Sequence, residues 1–287
     1  METRTLVRLN RYIDSMPALS ITVAKILEVV KNPQVTAKDL NKVISLDPIL
    51  VGKVLKLVNS AYYGLSNKVT SLVTAIIMLG INTIKNLALS TAVLANMKNQ
   101  SNFKALNVDG FWRHSIGVGV ASKFIAEKIG IPATQREEYF IGGLLHDIGK
   151  IPLNGIFYEE YLRAVRMADM KKAPLVQMES DNLGITHTEV GRMISEKWRL
   201  TQETSECILY HHDPDAAAEE NFKLVAAVYT ANTYCNLNEI GFSGDRYAAP
   251  IDLNILERLG IDEEYLDNLF DSISAEVEKA SIFLHVS

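Results

Sequence analysis

The chain has 287 residues, enough for one large domain or two small ones around a sizeable core. Hydrophobic residues make up 48% and charged residues 22%, and the net charge of −5 with no long Lys/Arg run gives no field that would favour nucleic acid. The two cysteines, Cys207 and Cys235, form no CxxC pair, so reduced thiols in a reducing compartment are expected rather than a disulfide framework.

In chain order, the opening METRTLVRLNRYIDSMP has no apolar core of the signal-peptide kind. Thr36 followed by Asp39 is a variant of the capping box. Val35, Leu40, Val43 and Ile44 then recur at helical spacing. Asp47-Pro48 is a cap followed by a proline at the first helical position. The helix it opens puts Leu50, Val54, Leu57 and Val58 on one face and is expected to run to Gly64. SLVTAIIMLG is a short helix stopped by Gly80, and INTIKNLALSTAVLANM begins another. The apolar window they share is interrupted by Asn82, Lys85 and Asn86 before reaching the roughly 20 residues that span a bilayer, so a soluble cytoplasmic protein without membrane contact is expected.

The polar segment 97–110 joins an N-terminal helical part, residues 1–105, to a central part, residues 106–240. FWRHSIGVGVASKFIAEKIG, QREEYFIGGLLHDIGKI, ITHTEVGRMISEKWRL, TSECILYHHDP and FKLVAAVYTANTYCNL read as its helices. A Gly- and Pro-bearing loop at 241–250 opens a C-terminal extension, 241–287, closed by two helices, IDLNILERLG and DEEYLDNLFDSISAEVEKASIFL. No run of strict alternation suggests a strand, and no internal repeat is present.

Five of the six histidines lie between His114 and His212. Taken singly each has an ordinary explanation. His114 could be a hydrogen-bonded core residue, His187 could open a helix, and His211-His212 could be an exposed loop. The adjacent pair His146-Asp147, set in the apolar run GGLLHDIGKI, is harder to explain that way. A buried carboxylate is costly unless a cation or hydrogen-bond donors satisfy it. A mixed imidazole and carboxylate set suits Fe, Mn, Zn or Ni better than Mg or Ca, which prefer oxygen shells.

GLLHDIGKI resembles the signature of the HD superfamily of metal-dependent phosphohydrolases. ISLDPILVGKVLKLVNSAYYG followed by VTSLVTAIIMLG sharpens this to the HDOD family, and WRHSIGVGVASKFIA, HTEVGRMISEKWRL and ILYHHDP occur in the matching order over residues 10–285. The resemblance implies an all-α fold, an N-terminal helical bundle packed against an HD-like helical core. Carried over from two-metal relatives, it implies one or two transition-metal ions on His114, His146, Asp147, His187 and His211 or His212. Asp147 would bridge the two ions, which together could clamp a phosphate and activate a water. Where relatives carry a final Asp, this chain has Asn232. An amide there brings no negative charge, so it either ligates weakly or only hydrogen-bonds a ligand histidine. The Gly-Tyr-Pro signature that follows the paired histidines in cyclic-di-GMP phosphodiesterases is replaced by HHDPDAAAEENFK, which argues against that substrate.

Three functions follow. The first is an HDOD-type signalling or regulatory protein that binds a signalling partner or a small phosphate-containing ligand. The second is a metal-dependent phosphohydrolase in which Asp147 bridges the ions and Lys150 holds phosphate, against the commoner reading of Lys150 as solvated. The third is a metal-free structural helical module. Asn59-Ser60 and Tyr62-Tyr63 read either as helix capping and core packing or as a partner surface against the core.

Overall fold

A computed structural model of the chain describes residues 2–98 and 105–286, so the join expected over 97–110 falls in part outside the described residues. The first unit is built from α1 (Glu2–Ser15), α2 (Ile21–Val29), α3 (Ala37–Ile44), α4 (Pro48–Val58), α5 (Leu72–Leu79) and α6 (Ile81–Lys98). The Thr36–Asp39 capping box is complete in both directions, and the Asp47 side chain accepts the Leu50 N–H at 3.0 Å with Pro48 opening α4.

α4 stops at Val58, short of Gly64. Asn59 ends it: the side-chain amide donates to Leu55 O at 2.7 Å and Val69 O at 2.8 Å and accepts from Val69 N at 2.7 Å. That side chain competes with the next helical turn and staples the following loop instead. Gly80, at φ 89, separates α5 from α6, which bend 118° from one another; no single helix among the described residues is long and apolar enough to cross a membrane.

The core unit contains α7 (Val108–Lys128), α8 (Arg136–Leu145), α9 (Lys150–Ile156), α10 (Tyr158–Lys171), α11 (Leu175–Leu183), α12 (His187–Trp198), α13 (Gln202–Tyr210) and α14 (Phe222–Leu237). α7 lies against α8 and α14, and α13 packs on α8, α12 and α14. α10 and α11 form in a stretch where the apolar spacing had marked no element.

Two of the expected helices are broken. The run ending GLLHDIGKI turns at 146–149 between α8 and α9. The last 23-residue helix divides into α16 (Glu263–Asp267), α17 (Phe270–Ala280) and α18 (Ile282–Val286), after α15 (Leu253–Leu259). Asn268 Nδ2 donates to Glu264 O at 2.8 Å and Ser281 Oγ to Val277 O at 2.9 Å, each bonding back to the turn before at a break.

No strand occurs among the described residues, and the all-α arrangement of an N-terminal bundle on a helical core holds. α17 returns to α7, while α18 covers α4 and α6. Tyr62 seats the loop after α4 on the core, with ring centroids 5.5 Å from Phe140 and 5.6 Å from Phe283. Asn59 and Tyr62 thus perform capping and packing. On the other side α1 and the turn after it hold the core through Arg8 to Ile156 O at 2.8 Å and Trp198 Nε1 to Pro17 O at 3.1 Å.

Candidate metal centre

Helix ends deliver the site. His146 follows the last residue of α8 and His211 the last residue of α13, and both rings turn back onto the final turn. His146 Nδ1 lies 2.6 Å from Gly143 O, and His211 Nδ1 lies 3.0 Å from Ile208 O and 3.2 Å from Cys207 O. Carbonyls at a helix C-terminus lack intrahelical donors, so they take these imidazole N–H groups and leave each neutral ring with a lone pair on Nε2. The same helix ends carry partial negative charge and favour a cation nearby.

His187 is the first residue of α12, opened by a capping box between Thr186 and Glu189. Glu179 on α11 reaches across to accept its backbone N–H at 2.8 Å and its Nδ1–H at 2.6 Å. A carboxylate on Nδ1 fixes the tautomer and leaves the Nε2 lone pair available to a metal. Gly149 lets the turn carrying the His-Asp pair pass beneath α12: a Cβ there would fall 1.9 Å from His187 O. His114 sits two turns into α7, whose first turn is capped by Asn107. Gly241, at φ 70, presses the 241–250 loop onto it, where a Cβ would stand 2.2 Å from His114 N.

The candidate metal residues singled out from the sequence lie close together here. The ligating atoms of His187, His211 and His212 lie within 4.8 Å of one another, and so do those of His114, His146 and Asp147. Asp147 stands between the groups. Its Oδ1 is 3.3 Å from His187 Nε2 and 3.6 Å from His211 Nε2, and its Oδ2 is 3.3 Å from His146 Nε2 and 4.0 Å from His114 Nε2. His187 Nε2 is 3.2 Å from the Nε2 of both His211 and His212. Apart from His212, which is partly exposed, these candidate ligand residues are fully buried.

Asn232 Oδ1 is 3.0 Å from His114 Nε2 and accepts Asn236 Nδ2 at 3.1 Å. An amide oxygen only accepts, so His114 turns a proton, not a lone pair, toward it. Of the two roles open to Asn232, the structure places it as hydrogen-bond partner of His114. Lys150 is not solvated: it is 1% exposed, with Nζ 2.8 Å from Asp147 Oδ2, 3.3 Å from Ser243 Oγ and 3.8 Å from Asp245 Oδ2.

Burial, reinforced by His146, pulls His114 down to about 3, and burial likewise brings His211 to about 3 and His212 well below its usual range. Neutral imidazole is the ligating form. Burial would raise Asp147, but His146 and Lys150 beside it hold the carboxyl well below the carboxylate range. Burial would lower Lys150, and Asp147 and Asp245 hold it above its ordinary value instead.

The residues fit a transition metal. His146 Nε2 and Asp147 Oδ1 are buried without a hydrogen bond, and Asp147 Oδ2 has the Lys150 ammonium beside it. In neutral rings the Nε2 lone pairs of His187 and His211 face each other at 3.2 Å, a repulsive arrangement that a shared cation relieves.

Sequence reasoning missed Glu179, Ser243 and Asp245. Glu179 lies eight residues before its histidine with no spacing rule to mark it, and the other two sit in a loop read only as a connector.

The HDOD domain profile matches residues 16–214. An HDOD domain protein of unknown function from Geobacter sulfurreducens has the same fold, with a TM-score of 0.76, 26% identity and coverage of 98% of this chain and 97% of that one. A provisionally assigned phosphohydrolase from Shewanella amazonensis SB2B follows at a TM-score of 0.71 and 25% identity, covering 96% and 98%. An uncharacterized protein of Treponema pallidum (strain Nichols) is 26% identical over 220 residues, and the match spans 77% of this chain but 42% of that longer relative.

Proposed function

The chain belongs to the HDOD domain family, and from that membership we propose that it is a signalling or regulatory protein built around a retained transition-metal centre. It acts by binding a signalling partner or a small phosphate-containing ligand rather than by turnover. The convergence of His187, His211, His212 and Asp147 Oδ1 carries the metal part of this reading. When bound, a transition metal supplies Lewis acidity at this point. The protein's own residues set the rest. Glu179 orients His187, Asn232 withholds the His114 lone pair, and Lys150 neutralises Asp147 Oδ2 instead of reaching out for phosphate.

The donor set is buried, so a ligand would approach from the neighbouring cleft of about 550 Å³ lined by Asn236, Phe242, Asp245, Arg246 and Tyr247. Arg246 stacks over the Phe242 ring at 5.0 Å with Asp169 Oδ1 3.7 Å from its Nε, and this exposed guanidinium is the cation offered to a phosphate.

The phosphohydrolase reading is favoured by one observation, the clustering of His114, His146, His187, His211 and His212 around Asp147. Elemental analysis of chain purified without an affinity metal, followed by assay of the Mn- and Fe-reloaded protein on bis(p-nitrophenyl) phosphate, separates the readings. Bound Fe, Mn, Zn or Ni with no turnover above free metal is the expected result. Turnover that exceeds free metal and is lost in Asp147→Asn supports the enzyme, and a metal-free chain supports the structural module.

A further inference from the structure

We propose that the centre takes a single transition-metal ion, held by His187, His211, His212 and Asp147 Oδ1, and that the Lys150 ammonium takes the place of a second ion against Asp147 Oδ2. This rests on the metal-binding reading above and assigns its stoichiometry to two residues of this chain, Lys150 and Asn232.

Asp147 divides its two oxygens. Oδ1 faces the Nε2 atoms of His187 and His211 at 3.3 and 3.6 Å, while Oδ2 is in contact with Lys150 Nζ at 2.8 Å. The His187 half has three imidazoles and a carboxylate oxygen, a complete first coordination set for Fe, Mn, Zn or Ni.

The other half is short of donors. His114 Nε2 is turned to Asn232 Oδ1, and that oxygen is already shared with Asn236. The imidazole nitrogen facing Asp147 Oδ2 most closely is His146 Nε2 at 3.3 Å, and Lys150 already contacts that oxygen at 2.8 Å. A second divalent ion there would meet a buried ammonium with almost no water to screen the repulsion.

Lys150 is held in place as well. Ser243 and Asp245 flank its Nζ at 3.3 and 3.8 Å, and both come from the loop that Gly241 presses onto α7. Formal charge agrees: one divalent ion and Lys150 balance Asp147, Glu179 and Asp245, whereas a second divalent ion leaves the buried centre in excess of positive charge.

The test counts and locates ions rather than measuring turnover. The chelator-stripped chain is dialysed against Mn²⁺ alone, and bound Mn is counted and examined by electron paramagnetic resonance. Wild type is expected to saturate at one uncoupled Mn per chain. Lys150→Met combined with Asn232→Asp is expected to take two, with an exchange-coupled signal. His187→Gln should weaken binding more than the roughly 10–100-fold that loss of a ligand's hydrogen-bond partner costs. Anomalous diffraction from wild-type crystals grown with Zn²⁺ needs no variant to fold, and should show one peak among His187, His211, His212 and Asp147.

Two ions of similar affinity in wild type, a peak between His114 and His146, or a folded double variant that still takes one ion overturns the proposal and leaves metal binding intact. Wild type that takes up neither Mn²⁺ nor Zn²⁺ overturns the metal reading beneath it too.

Discussion

At the scale of single residues, the centre depends on what stands behind each imidazole. Glu179 fixes His187 by accepting two hydrogen bonds from it on one carboxylate oxygen. Glu179→Gln is expected to weaken metal binding about 10–100-fold, read by competition with a chromophoric chelator, while the fold remains. An unchanged affinity would mean that the ring is positioned by α12 alone. The buried histidines also set the acid response of the metal-free chain. His114 and His211 are depressed from 6.5 to about 3 in the fold, so as pH falls the unfolded chain takes up protons first. Stability is therefore full above about pH 6.5 and lost progressively toward pH 3. Asp147, held below the carboxylate range, adds a loss of the same sign below pH 3.8. Urea midpoints in chelator at pH 7, 6, 5 and 4 check this, and a midpoint flat down to pH 4 refutes it. The histidines and Asp147 were legible in the sequence because their residue types and order survive. Glu179 and Asp245 were not, because contacts made across helices leave no local spacing.

At the scale of elements, caps proved easier to read than stops. Thr36 with Asp39 and Asp47 with Pro48 start their helices as written, because a cap needs only neighbours a few residues away. The stops at Asn59, Asn268 and after Leu145 were misplaced or missed. The apolar pattern continues through each, and a side chain or a crossing helix ends the element instead. The turn at 146–149 is the instructive case, since helical periodicity ran straight across His146 and Asp147. Gly149→Ala puts a methyl group into the α12 backbone and is expected to destabilise by about 3 kcal/mol or more, measured by urea unfolding. Thr186→Ala removes the α12 cap and should cost about 1 kcal/mol, with metal affinity reduced because His187 is the next residue. Tyr62→Ala uncouples the loop after α4 from Phe140 and Phe283 and is expected to cost about 3 kcal/mol, with metal binding untouched.

At the scale of the whole molecule, the ends of the chain close around the centre. α1 and the turn after it hold α9 and α12, and α17 and α18 return to α7 and to the N-terminal helices. The candidate donors come from two helices, α7 and α12, and from the turns that follow α8 and α13, so an ion placed there ties together elements far apart in sequence. An ion at 100 times its dissociation constant stabilises the folded chain by about 2.7 kcal/mol, so the melting temperature is expected to fall when chelator is added and to recover with Mn²⁺. Burial of the donors adds a kinetic consequence. Apart from the partly exposed His212, the candidate donor residues are buried in the closed fold. Metal exchange then waits on breathing of the protein, and the ion's residence time reports the opening rate rather than affinity. Release into excess chelator should reach a plateau rate independent of chelator concentration, and an ion captured while the chain folds would be kept for as long as the helices stay shut.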